Sequence, residues 1–154
     1  MLKQKVEASE AITDVIRIEN EKDLRLAMGV RQQVFVQEQG VPAEAEYDLF
    51  EDSAVHYLVT SAGVPVGAAR WRLTAKGVKL ERFAVLAAYR NKGIGEKLLA
   101  AVVRDVQARH PENKIYLHAQ LPAVRFYSRH GFLPEGEKFS ECDIEHYKMY
   151  YKGQ

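Results

Sequence analysis

The chain has 154 residues, 22 of them basic and 21 acidic, for a net charge of +1, and 47% of it is hydrophobic. That length and apolar content fit one domain over residues 1–154 with a substantial core, and the charge balance argues against a nucleic-acid binder, which carries a strong basic excess. No apolar run approaches the roughly 20 residues of a membrane span, and residues 1–11 lack the basic-then-apolar order of a signal peptide, so a soluble, cytoplasmic protein is expected.

In chain order, residues 15–18 alternate briefly and read as a strand. Over residues 21–39, Leu24, Ala27, Met28, Val30, Val34 and Phe35 fall at helical spacing, with Asn20 as N-cap. Gly40, Val41 and Pro42 stop that helix. The acidic stretch 43–52 reads as a short helix or a loop. Three strands follow at 55–60, 66–73 and 78–85, with turns at Ala62-Gly63 and Ala75-Lys76-Gly77, the signal of an antiparallel meander. Residues 92–109 form an amphipathic helix with Leu98, Leu99, Val102, Val103 and Val106 on one face. A strand at 115–118, a helix at 122–130 closed by Gly131, and strands at 132–139 and 146–151 with a polar loop between complete the order. A mixed sheet of about seven strands, mostly antiparallel, with helices packed on it satisfies this pattern. The strand, helix and strand around residues 78–118 form a parallel crossover. The single cysteine, Cys142, permits no internal disulfide and reads as a small filler in a reducing compartment.

The joint between the third strand of the meander and the long helix carries Gly93-x-Gly95 with Arg90 and Lys92 beside it. Glycines let backbone approach a ligand, and a helix's first N–H groups lack intrahelical partners, so the joint has the chemistry of a pyrophosphate cradle. It also satisfies a plain turn that needs two small residues. It is not a Walker A loop, since no Gly-Lys-Ser/Thr follows, and it lacks the third glycine of a dinucleotide fingerprint.

Arg90-Asn91-Lys92-Gly93-Ile94-Gly95 matches the Arg/Gln-x-x-Gly-x-Gly/Ala signature of the GNAT acyltransferases, and Ala123-Val124-Arg125-Phe126-Tyr127 with Gly131-Phe132 resembles that family's second signature. The resemblance extends over residues 15–151. Ala87 and Gln120 depart from it, standing where the family often has proline and asparagine. Val34-Phe35-Val36-Gln37-Glu38-Gln39, Leu117-His118-Ala119-Gln120 and Glu141-x-x-Ile144-x-His146-x-x-Met149 are similar to the ElaA-like subgroup.

The resemblance implies the acyl-CoA N-acyltransferase fold, an α/β (α+β) architecture with helices on both faces of the sheet. It implies acetyl-CoA as co-substrate without a metal, and an acetyl group passed to a primary amine of a small molecule or protein. A longer acyl-CoA donor and a CoA-binding regulatory domain without turnover are the alternatives. Backbone groups from Arg90, Asn91, Lys92, Gly93, Ile94 and Gly95 would hold the pyrophosphate. Phe83, Ala84, Val85, Gln120 and Phe126 would line the pantetheine arm, the strand edge offering main-chain hydrogen bonds. Tyr127 is the expected proton donor to the leaving thiolate. Glu81, on the donor-binding strand and on one face with Phe83 and Val85, is the first choice of base; His118 is the second. Arg31, Asp48 and His146 are expected at the acceptor, where acids near Asp48 would attract a cationic amine. Tyr147, Tyr150 and Tyr151 suit either a homodimer contact or the core.

Overall fold

The computed structural model describes residues 12–153; residues 1–11, read above for targeting order, and residue 154 lie outside it. Among the described residues, β1 (Thr13–Arg17), β2 (Val55–Ser61), β3 (Val64–Thr74), β4 (Gly77–Val85), β5 (Ile115–Gln120), β6 (Phe132–Glu141) and β7 (Ile144–Tyr151) form one sheet in the order β1-β2-β3-β4-β5-β7-β6. β4 and β5 run parallel, and every other neighbouring pair is antiparallel. The expected meander and crossover are both present. So is the GNAT-type architecture, a mostly antiparallel mixed sheet with helices on both faces. No described helix is long and apolar enough to cross a membrane.

Two hairpins are closed by pairs of left-handed residues, Ala62 and Gly63 (φ 49° and 81°) and Cys142 and Asp143 (φ 51° and 60°). Two positive φ values in succession match the right-handed twist of the flanking strands. The second pair replaces the polar loop expected between residues 139 and 146. β6 and β7 run on to the turn, and Cys142 is exposed on it rather than filling the core.

α1 (Glu21–Arg31) begins as expected, with Asn20 Oδ1 accepting from the Asp23 N–H at 2.8 Å. The helix expected to reach residue 39 changes type, continuing as a π-helical segment (Gln32–Glu38) in which the Gln39 N–H donates to the Val34 carbonyl at 3.0 Å. The wider turns bury both Val34 and Phe35. After the short α2 (Ala43–Glu46) and the meander, α3 (Ile94–Arg109) starts two residues later than the periodicity suggests, because Gly93 at φ 79° is its N-cap. It buries Leu98, Leu99, Val102, Val103 and Val106 and stops at His110, which Pro111 bars from helical geometry. A 3₁₀ turn (Leu121–Ala123) leads into α4 (Val124–Arg129).

α3 and α4 cover one face of the sheet, where Trp71, Leu80, Leu98, Val102, Leu117, Phe132 and Met149 pack together. α1 and the π-helical segment cover part of the other, joining Ala27, Val30 and Val34 to Leu58, Ala68 and Ala84. Burying each such aliphatic side chain contributes about 1.5–3 kcal/mol, so both faces gain well beyond the helices' own propensity. Tyr147 and Tyr151 pack against the larger cluster, which gives them a core role.

The feature that positions the site is a bulge in β4. Its register against β3 steps from Arg70↔Glu81 to Ala68↔Ala84, leaving one extra residue on β4, and Arg82 adopts φ 59°. The extra residue reverses the alternation of side chains. Glu81 falls on the α1 side with Arg70, whereas Phe83 and Val85 pack against the α3-side cluster. The expectation that Glu81, Phe83 and Val85 share a face is therefore corrected. β5 pairs only with Val78, Lys79 and Leu80, so beyond Leu80 the two parallel strands part and that edge of β4 has no strand partner.

Candidate active site

The gap between β4 and β5 opens into a cleft of about 360 Å³ lined from both sheet faces. Phe83 and Tyr127 reach it from the α3–α4 side; Glu81, His118 and Gln120 reach it from the α1 side. Asp48, Glu141 and His146 also line it, so the structure brings together most of the residues singled out for chemistry or acceptor binding.

At the C-terminal end of β4 the chain makes a 3₁₀ turn (Ala87–Tyr89) and passes through Asn91 (φ 61°) and Gly93 (φ 79°) before α3 begins. Gly93 offers no side-chain cap, and the first helical bond there is Lys97 N–H to the Gly93 carbonyl at 3.1 Å. The N–H groups of Ile94, Gly95 and Glu96 precede it, free of intrahelical acceptors and at the positive end of the helix dipole. A Cβ on Gly93 would meet no atom within 4 Å, so open space lies before the loop and glycine is required by φ rather than by crowding. A Cβ on Gly95 would make ordinary contact with Phe126 at 3.5 Å, in keeping with a position that tolerates alanine. The geometry fits a pyrophosphate held by main-chain donors. The side chains of Ala84 and Ile94 are buried, which leaves only their backbone for a ligand.

Arg90 serves differently from a phosphate-facing cation. Its Nε donates to the Val85 carbonyl at 2.8 Å, and its two Nη atoms hold Glu38 at 2.7 Å each. The side chain thus ties the loop to the π-helical segment. Gln120 is likewise engaged, in a reciprocal amide pair with Gln39 at 2.8 and 3.2 Å.

Tyr127 is buried, with Phe83, Phe126 and Phe132 edge-on to its ring, and its hydroxyl has no protein partner among the described residues. Burial pushes its pKa up, so the phenol stays protonated well beyond neutral pH. His118 Nδ1 lies 3.2 Å from Glu141 Oε2, and this hydrogen bond holds Glu141 down at about 2. A carboxylate at Nδ1 places the imidazole proton there and leaves Nε2 as acceptor. His146 is buried against Phe139, with Nδ1 2.7 Å from the Ile144 carbonyl.

Glu81 is tightly held. Arg72 Nε lies 2.8 Å away, Arg70 Nη2 3.0 Å and Lys79 Nζ 3.2 Å. Burial alone would raise its pKa, but the Arg72 hydrogen bond and the charges of Arg70 and Lys79 hold it below the usual carboxylate value. Asp48 is engaged too, by a bidentate pair from Arg70 at 2.7 and 2.8 Å and by Arg82 at 3.1 Å, so it is no free anion for a cationic amine. Arg31 does not reach the cleft. It is 1% exposed and makes bidentate pairs with Glu46 (3.0 Å both) and Glu51 (2.9 Å both). Sequence reasoning missed this network of Arg31, Glu46, Glu51, Arg70 and Arg82. Its one signal was the density of acids in 43–52 opposite the arginines of β3 and β4.

The family model described as acetyltransferase (GNAT) domain matches residues 8–152. The N-acetyltransferase YjcF of Bacillus subtilis strain 168, itself uncharacterised, is 40% identical over 131 residues, covering 84% of this chain and 93% of that protein. Among solved structures, an acyl-CoA N-acyltransferase from Pseudomonas aeruginosa superposes with TM-score 0.80 at 24% identity, covering 91% of this chain and 99% of that one. Escherichia coli ElaA superposes with TM-score 0.78 at 24% identity, over 92% and 99%. With the motif-bearing loop, the parted strands and the cleft between them, these matches make the chain a member of the GNAT family of acetyltransferases.

Proposed function

We propose that this chain, acting as one cytoplasmic domain, transfers an acetyl group from acetyl-CoA to a primary amine of a small molecule or protein. The observation that carries this reading is the cleft where β4 and β5 part, with main-chain donors at one end and Tyr127 and the His118–Glu141 pair on its walls. Acetyl-CoA supplies the activated thioester. The N–H groups at the start of α3 bind its pyrophosphate, and the unpaired edge of β4 around Phe83, Ala84 and Val85 aligns the pantetheine arm as an added strand.

His118 is our choice of base in place of Glu81. A carboxylate clamped by three cations is a weak proton acceptor, whereas an imidazole oriented by Glu141 presents a free Nε2. It takes the ammonium proton, and the amine attacks the thioester carbon. As the C–N bond forms and the C–S bond breaks, the sulfur receives the Tyr127 proton; the second proton of the attacking nitrogen returns to the Tyr127 oxygen as the amide forms, leaving amide, free thiol and the first proton on His118. Phe83, Phe126 and Phe132 pack edge-on to the Tyr127 ring and hold it in place.

Calorimetric titration with acetyl-CoA, beside thiol release over a panel of amines, tests the reading. Binding with release on an acceptor supports it. Failure to bind removes the cradle and the reading with it.

A further inference from the structure

The carboxylates that line the acceptor cleft are all engaged, and the side chains beside it carry an excess of positive charge. Next to the cleft, sharing Arg72, Lys79 and His118 with it, is a groove of about 270 Å³ that also takes in Lys76, Tyr116 and Lys148 and contains no carboxylate. The sheet builds it directly. Arg72 is opposite Lys79, Lys79 opposite Tyr116 and His118 opposite Lys148, so four strands present these side chains on one face. α1 packs on β2, β3 and β4 and leaves the β5–β7 part of that face open.

The cations outnumber their partners. Arg72 and Lys79 share the single carboxylate of Glu81 with Arg70, which also pairs with Asp48 and Glu51; Lys148 shares Glu135 with Lys114; Lys76 has no ion pair among the described residues. The whole chain carries a net charge of only +1, so this is a local concentration and not a general basic excess. Nor is it the pyrophosphate site. The groove adjoins Gly77, where β4 starts, while the cradle follows Val85, where it ends; at about 3.3 Å per residue these lie roughly 26 Å apart.

We propose that the acceptor is a small amine bearing an anionic group, a carboxylate or a phosphate, which this groove binds while the amine lies at His118. The inference rests on the acyltransferase reading above and names its substrate class. It replaces the expectation that acids near Asp48 attract a cationic amine with recognition of the acceptor's anionic group.

Four acceptors of similar length test it: γ-aminobutyrate, its amide, putrescine and aminopropyl phosphate, each titrated calorimetrically into the protein–CoA complex. γ-Aminobutyrate or aminopropyl phosphate should bind at least about tenfold more tightly than the amide or putrescine, the gain of one charge-assisted contact, and the stronger of the two identifies the anion. Lys76→Glu, an exposed turn substitution, should erase that preference and leave coenzyme A affinity within about twofold, since charge at this distance is screened. Equal or tighter binding of the amide or putrescine overturns the proposal, as does a preference that survives Lys76→Glu or absence of binding by all four. The same titrations on the protein alone separate the two ideas: if coenzyme A does not bind, the acyltransferase reading fails, and the anion preference still stands or falls on its own ratio.

Discussion

At the scale of single residues, the proposed reaction divides its proton work between two side chains, and each has a separable signature. Tyr127 lines the cleft and its hydroxyl has no protein partner among the described residues, so it is available to the leaving sulfur of the proposed reaction. Tyr127→Phe should lower kcat about 100-fold, the usual worth of a positioned acid, and leave coenzyme A affinity intact; an unchanged kcat would reduce the tyrosine to packing. For the base, the acidic limb of the pH–rate profile decides. His118→Ala should abolish that limb, and Glu81→Gln should leave its position unmoved even where it lowers the stability of the sheet. The opposite result would restore Glu81 to the role the sequence suggests for it. Arg31 is the converse case, a residue expected at the acceptor that the structure places in a buried ion network. Arg31→Met takes a bidentate partner from the buried Glu46 and the half-buried Glu51, leaving them Arg82 and Arg70, and should cost about 3 kcal/mol in urea unfolding, with coenzyme A binding by the folded fraction retained.

At the scale of elements, spacing in the chain foretold what local periodicity can carry and failed where a single residue changes the geometry. Apolar residues at 98, 99, 102, 103 and 106 announce α3, and the turn residues Ala62-Gly63 and Ala75-Lys76-Gly77 announce the meander. The bulge at Arg82 has no such signal, because arginine is an ordinary strand residue, yet it decides which face Glu81 occupies and where β4 leaves β5. The π-helical segment is equally silent in the sequence, since Val34, Phe35 and Val36 suit either winding. Turn glycines are more legible. Gly77, at φ 132°, closes the β3–β4 turn so near the strand beyond that a Cβ would lie 2.2 Å from the Lys114 carbonyl oxygen, a contact between backbones that no side-chain movement relieves. Gly77→Ala should therefore displace the start of β4 from β5 and lower the thermal midpoint by several degrees, the scale on which ~1 kcal/mol or more registers in a domain of this size. A midpoint within a degree of the parent's would mean that the turn yields freely.

At the scale of the molecule, the ion network joins elements far apart in sequence, and that separation explains its absence from any linear reading. Arg31 meets Glu46 across 15 residues, Arg70 meets Asp48 across 22, and His118 meets Glu141 across 23. Composition reveals such charges but not their pairing. The network also gives the fold a pH dependence of fixed sign. Asp48, Glu51, Glu81 and Glu141 all have lowered pKa values in the folded chain; once the pH drops below their ordinary values near 4, the unfolded chain binds protons that the folded chain refuses, and stability falls. Buried His56 adds to this from a higher pH. Burial holds it below the ordinary 6.5, so the unfolded chain takes up its proton first there as well. The urea midpoint should therefore begin to decline as the pH falls below about 6.5 and decline more steeply below about 4.5, with Glu141's contribution lost near 2 and Asp48's at still lower pH. His56→Gln should remove the shallow early decline and keep the steep one. A midpoint that holds level down to pH ~3 would mean the carboxylates of the network are no more acidic folded than unfolded, and that the arginines merely neighbour them.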